Sequence, residues 1–443
     1  MKNDYLLVKK PLWALTVFAI PIIIGNFFQQ IYNMADSAIV GRFVGEQALA
    51  AVGASYALTN VFICIAMGGG IGASVIVSRQ FGARDYRKMK ISVYTAFLTF
   101  LVFSMCLAAV GWFGSPTIMR WLHTPQEIMG MAVRYLRIYF LGLPFLFMYN
   151  VISAMFNALG QSKYPLGFLI FSSLFNIALD ILLVTKLNLG VAGVAWATLI
   201  AQGISALLSF LVFLKLLAQL SPGKVSLFDS RSLAEMTKVA LPSILQQSTV
   251  SIGMMLVQSV VNGFGTEALA GYSAAAKVES LCFVPLMGIS NALCSYTAQN
   301  LGAGNQERVV KGYHTANGME IVSGAFICFF LEGFHSQIIT LFLGEEGTAV
   351  ARSTGEAYLT FLGWFFCILG FKVTTDAILR ASKDMKMFTI ANLANFSFRV
   401  IFAMIMAPRF GIHMVWIASP IGWFINWMLS YVEYRRGKWR IIV

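Results

Sequence analysis

Apolar residues run along this chain in about twelve stretches, separated by charged or turn-rich breaks. Each stretch is near or above the roughly 20 residues that a helix needs to cross a bilayer. The predicted spans are 12–40, 48–76, 92–114, 128–156, 163–186, 191–216, 235–262, 268–296, 312–343, 352–378, 387–408 and 412–433. This pattern predicts an all-α integral membrane protein.

The pattern also repeats. GEQALAAVGA from Gly45 matches GTEALAGYSA from Gly265, and MGGGIGASVIVSRQFGARD from Met67 matches MGISNALCSYTAQNLGAGN from Met287. FGARDYRK from Phe81 matches LGAGNQER from Leu301, and all three pairs lie 220 residues apart. Pro21 and Pro242, like Gly190 and Gly411, are 221 apart, so the register slips by one. The chain is therefore read as two six-helix repeats: residues 1–217, a linker over 218–234, and residues 235–443. Six is even, so both repeats insert the same way up, as in the parallel-repeat secondary transporters.

Composition agrees. Of 443 residues, 58% are hydrophobic and 12% charged, against about 25% charged in soluble domains. The net charge of +13 would suit nucleic acid, but its distribution argues against that partner. Twenty-two Lys and Arg fall on one set of alternate loops and both ends, and seven on the opposite loops. By the positive-inside rule both termini are cytoplasmic, in a multi-pass protein of the plasma membrane. The first apolar segment is too long for a signal peptide and has no small-residue cleavage site. The six cysteines are isolated in apolar runs and read as small core residues. The four histidines lie near loop ends without ligand spacing, so no histidine metal site is expected. No GxxxxGK[ST] loop and no Ser/His/Asp or Cys/His grouping occurs, which argues against ATP hydrolysis and against an enzyme.

The candidate chemistry lies inside the spans. Asp36 sits within the first, with Tyr32 four residues earlier and Pro21 further back. A charged carboxylate near mid-bilayer costs about 2.5–3.5 kcal/mol on insertion scales. Such a group usually faces a protein interior or water; the plainer alternative is solvation at the outer boundary. Asn176 and Asp180 in the fifth span are four apart and share one helix face, and Thr198 in the sixth adds a hydroxyl. Two carboxylates in one dry pocket cannot both stay ionised comfortably, and they titrate as a pair. A proton or a sodium ion relieves the same repulsion, and oxygen-only ligands suit a hard cation.

The second repeat has a different set. Its first span has Gln246, Gln247 and Gln258 but no acid. Lys372 and Asp376 are placed to neutralise each other, and Lys277, Glu279 and Arg399 complete a mixed-charge group. This group is read as a stiffening ion-pair network or as a contact for an anionic part of a substrate or lipid headgroup. Glu320 and Glu332 are expected at solvated span boundaries. The glycine cluster from Gly68 to Gly72 reads as close helix packing or as a point of bending.

Over about residues 10–435 the chain resembles the multidrug and toxin extrusion (MATE) family. The resemblance rests on the duplicated plan, on VSRQFGARD at Val77 and AQNLGAGNQER at Ala298, and on RASKD at Arg380. It implies a V-shaped pair of lobes that exports amphipathic, often cationic organic compounds against a proton or sodium gradient. It is closer to the DinF-like branch, where an Asp, Asn, Asp and Thr set forms the cation site of the amino-terminal lobe. The matching residues are Asp36, Asn176, Asp180 and Thr198, with Tyr32 nearby, as a proton or Na+ site. Pro21 matches a proline where the first helix is proposed to bend. The acidic pair of the NorM-like branch is not matched. Expected partners are small organic substrates and membrane lipid, with the protein a monomer and no cofactor beyond the coupling ion. A lipid or lipid-linked sugar flippase, with Lys277, Lys372 and Arg399 holding a phosphate, is the alternative. A channel is disfavoured.

Overall fold

The computed structural model describes residues 4–220, 223–344 and 347–440, apart from the side chains at 35–38, 46 and 57. It is helical almost throughout. A one-turn helix α1 (Tyr5–Val8) precedes α2 (Pro11–Ile39), α3 (Glu46–Gly82), α4 (Tyr86–Trp121), α5 (Gln126–Ala158), α6 (Lys163–Ile181) and α7 (Val191–Leu220). The second repeat comprises α8 (Ser230–Asn262), α9 (Thr266–Gly302), α10 (Gln306–Leu343), α11 (Ala349–Gly363), α12 (Phe366–Ser382), α13 (Met385–Phe410) and α14 (His413–Arg436).

Among the described residues, ten helices are long and apolar enough to cross a membrane, and the bent pair α11 and α12 makes eleven. That pair was expected as one span, 352–378. It is broken at Trp364 and Phe365 and bends by 56°. The remaining predicted span, 412–433, coincides with α14, 24 residues long. Its Trp416, Trp423, Trp427, Pro420 and Asn426 lower its mean hydropathy, although the helix itself forms as expected.

The duplication extends to the devices that start and join the helices. Asp85 caps α4 by accepting from the amide of Lys88 at 3.0 Å, and Asn305, 220 residues later, caps α10 by accepting from the amide of Arg308 at 3.2 Å. Gly45 and Gly265 precede α3 and α9 with φ of 103° and 93°, a backbone state that glycine adopts without the steric cost of a Cβ.

The chain forms two compact units, residues 24–244 and residues 1–23 with 245–443. The divisions fall two residues after Pro21 and two after Pro242, inside α2 and α8. Packing explains this. A Cβ on Gly68 would lie 2.6 Å from the backbone nitrogen of Ile244, and one on Gly72 would lie 2.6 Å from the backbone of Ala240. The first half of α8 is thus pressed onto α3 within the first unit. In the other unit, a Cβ on Gly288 would lie 2.3 Å from Ile23 Cγ1. Gly288 is the repeat partner of Gly68, and Ile23 that of Ile244. Each unit therefore takes the first half of a helix whose second half belongs to the other. The close-packing reading of the glycine cluster describes these contacts.

The segment before α2 is also fixed. Arg308 donates to the carbonyls of Leu6 at 3.1 Å and Lys9 at 2.8 Å, and Asn300 donates to that of Leu6 at 3.2 Å.

Candidate functional site

In the unit of residues 24–244, α6 brings Asn176 and Asp180 to one buried face, 2% and 0% exposed. Thr198 approaches from α7. The amide orientation that satisfies both ends places the Asn176 nitrogen 2.8 Å from Asp180 Oδ2, and its oxygen 3.0 Å from the backbone amide of Thr198. The Thr198 hydroxyl donates to the carbonyl of Val194 at 3.1 Å. Three of the five expected residues are thus assembled. Beside Thr198 lies a small void of about 20 Å³ that also touches Tyr135, Tyr139 and Gln202, enough for roughly one water.

The side chain of Asp36 lies outside the described residues, so its distance from Asp180 is not part of this geometry. Its helix is nonetheless well placed. α2 ends in a π-helical turn, Val40–Val44, and α6 in another, Leu182–Lys186. Val40, Ala48, Val184, Val191 and Val194 pack as one buried cluster, joining the two turns. Single π-helical turns of this kind are frequent at functional sites. Tyr32 stands half-buried on α2, and Pro21 lies inside that helix.

The other unit divides the expected mixed-charge group into three. Lys372 and Asp376 form a buried ion pair at 3.0 Å. Asn392 of α13 closes a ring, accepting from Lys372 at 3.1 Å and donating to Asp376 at 3.1 Å. Ser430 of α14 donates to the remaining Asp376 oxygen at 2.9 Å, and Gln246 of α8 donates to Asn392 at 3.3 Å. Both charges are met by partners from three helices, and Gln246 adds a fourth helix to the network through Asn392. Gln247 is half-buried and its side chain joins none of these contacts.

Glu279 belongs to a second cluster. The Tyr358 hydroxyl donates to it at 2.6 Å, and Tyr358 is stacked between Tyr272 and Trp416, with ring centroids 5.3 Å apart on each side. Arg399 of α13 makes no ion pair with Glu279 among the described residues. Lys277 is a correction to the expected group. It is exposed while Glu279 is buried, because residues two apart on a helix point to different sides. Lys277, Lys372 and Arg399 therefore have three separate surroundings, and the phosphate-holding trio of the flippase alternative does not form.

Glu320 is a second correction. It was expected at a solvated boundary and is 0% exposed, packed against Gly370. Glu332 fits the boundary reading, its carboxylate accepting from the exposed Trp364 indole at 2.8 Å.

The MatE family model matches residues 21–182 and 242–405, once in each repeat. The chain belongs to the MatE family. It is 30% identical over 429 residues to the probable multidrug resistance protein YpnP of Bacillus subtilis, covering 96% of this chain and 95% of that one. It is 23% identical over 352 residues to the multidrug export protein MepA of Staphylococcus aureus, covering 78% and 77%. A solved structure described as the outward-facing conformation of a multidrug resistance MATE family transporter of the MOP superfamily superposes with TM-score 0.89 at 25% identity, over 100% of this chain and 99% of that one. A MATE structure in complex with MaL6 gives TM-score 0.91 at 24% identity, over 100% and 99%. The all-α membrane fold of the MatE family is thus shared along the whole chain.

Proposed function

We propose that this MatE-family chain is a secondary antiporter that exports amphipathic, often cationic organic compounds in exchange for H+ or Na+. The observation that carries this reading is the buried Asn176, Asp180 and Thr198 cluster on α6 and α7. A carboxylate at that depth favours a function over a structural accident. The cation enters from outside and binds Asp180, with Asp36, Asn176 and Thr198 supplying further oxygens and Tyr32 nearby. Its occupancy changes which side of the membrane the substrate path faces, so inward cation flow drives outward substrate flow by alternating access. Both ends of the chain face the cytoplasm of a cell whose plasma membrane holds the protein, which functions as a monomer. Pro21 lets α2 bend as the cation site fills. The acids of the first repeat, with none in α8 between Leu241 and Asn262, support the DinF-like assignment.

The test is efflux from proteoliposomes under a pure pH gradient and then under a pure sodium gradient. One gradient alone should drive transport in the wild type, and neither should in Asp180→Asn. Efflux that responds to neither gradient in the wild type would remove the antiport reading.

A further inference from the structure

Glu320 has no place in the mechanism above, yet among the described residues of its unit it is the most isolated buried acid. It lies near the middle of α10, 14 residues after Gln306 in a helix of 38 residues, roughly 21 Å along its axis. It is fully buried, and neither carboxylate oxygen has a hydrogen-bond partner. Its wall is the backbone of α12: a Cβ on Gly370 would lie 2.7 Å from Glu320 Cβ and 3.0 Å from Oε2. One turn further along α10, a Cβ on Gly324 would lie 2.8 Å from Cys367 Sγ and 3.0 Å from its nitrogen. Two glycines thus let α10 and α12 touch, with the carboxyl group closed inside the contact.

No counter-charge reaches it. On α12 the titratable neighbour is the Cys367 thiol, while Lys372 and Asp376 are committed to each other. On α9, Glu279 is committed to Tyr358 and Lys277 is exposed. Neither Glu320 oxygen is bonded by any of these groups, nor by Glu356 of α11. The Thr374 hydroxyl is also occupied, donating to Asn317 Oδ1 at 2.6 Å. A metal cation would find one carboxylate and no cage. A bare carboxylate here has neither donor nor partner charge, and this surrounding accepts the group in its neutral form. Structure alone gives no reason for an acid: burying a polar group without a hydrogen-bond partner costs stability.

We infer that Glu320 is a second proton-carrying site, located in the unit of residues 1–23 and 245–443 and separate from the Asp180 cluster. It holds a proton while α10 and α12 are in contact and releases it when the contact opens to water. The break at Trp364 and Phe365, with its 56° bend, lies five residues before Gly370, so α12 can shift there without unwinding α10. This inference rests on the antiport reading for its role in transport, but the protonation itself can be read without transport.

The test uses purified full-length protein and infrared difference spectroscopy between acid and alkaline pH. The wild type should show the carbonyl band of a protonated carboxyl group lacking hydrogen bonds. That band should vanish in Glu320→Gln and persist in Asp180→Asn. In proteoliposomes, Glu320→Gln and Glu320→Met should lose at least one proton per substrate exported, with thermal stability equal to or above wild type. A Glu320→Gln spectrum identical to wild type would overturn the inference, and so would an unchanged proton-to-substrate ratio in a folded Glu320→Met. If neither variant folds, the hydrogen-bond-free carboxyl band in the wild-type protein decides: its absence overturns the inference. If Asp180→Asn transports like wild type, the antiport reading fails at its own site while the infrared result for Glu320 stands.

Discussion

The two repeats share a scaffold and differ in their chemistry. Helix caps, loop glycines and the α3–α8 and α9–α2 contacts recur 220 or 221 residues apart. The buried charges do not recur. The positions matching Asp180 are Val400 and Ile401, and those matching Asp36 are Leu256 and Val257. In reverse, Glu320 corresponds to Phe100, Glu279 to Thr59, Lys372 to Ile152 and Asp376 to Phe156. Phe100, in the place of Glu320, packs its ring against Gly69 as ordinary core, where a Cβ would lie 2.4 Å from the ring. The fold is therefore achieved twice, each time without the other repeat's acids. Whatever the acids do, building six helices is not their task.

Asp180→Asn should show this contrast most strongly. The neutral amide keeps the shape of the Asn176 contact but can no longer exchange a cation. Gradient-driven efflux should fall at least about tenfold, equivalent to about 1.4 kcal/mol of lost driving interaction, with thermal unfolding close to wild type. Efflux at the wild-type rate would remove Asp180 from the mechanism.

Lys372→Ala should do the opposite, affecting stability before coupling. It leaves Asp376 buried beside Asn392 and Ser430 without its counter-charge, which typically costs about 3–5 kcal/mol. Replacing both partners together, as Lys372→Met with Asp376→Leu, should recover most of that loss. Thermal unfolding of the single and double variants measures the difference. If Lys372→Ala instead unfolds like wild type and alters substrate range, the ring contacts substrate rather than stiffening its unit.

The shared scaffold can be tested with a matched pair. Gly68→Ala and Gly288→Ala each push a methyl group into the partner half-helix, and overpacking of this kind costs about 1–3 kcal/mol. Both should lose stability, and Gly68→Ala more, because its methyl group meets the backbone of Ile244 whereas that of Gly288→Ala meets the movable Cγ1 of Ile23. A large loss for one and none for the other would show that the repeats are not equivalent in packing either.

Much of this was legible in the sequence. The spans came from long apolar runs, the duplication from matched motifs, and the Asn176–Asp180 face from a spacing of four. The opposite placement of Lys277 and Glu279 was also legible, since a spacing of two cannot make a shared face. Two features were hidden. The break between α11 and α12 has no proline to announce it, and Gly363 resembles the many glycines that pack rather than bend. The burial of Glu320 depends on how closely α10 and α12 cross, which a single helix does not specify. Its one sequence hint is Gly324 a turn later on the same face.

The smallest effect is expected where the linker enters α8, which has a repeat-like cap without a repeat partner. Asp229 accepts from the backbone amide of Ser232 at 2.8 Å and from its hydroxyl at 2.7 Å. Those bonds, the hydroxyl first, hold its carboxyl below the usual carboxylate range. The cap favours the ionised form, so its contribution is fully present above the ordinary aspartate pKa. It is lost as pH falls through the lowered folded value, where the unfolded chain already holds its proton. Hydrogen exchange at the Ser232 amide should therefore be protected at neutral pH and lose that protection only in acid. In Asp229→Ala the protection should be weak at every pH, while exchange at Arg308, capped by the non-titrating Asn305, should show no such acid step in either protein. An acid step that survives Asp229→Ala would place the titrating group elsewhere and leave the linker cap without a role in starting α8.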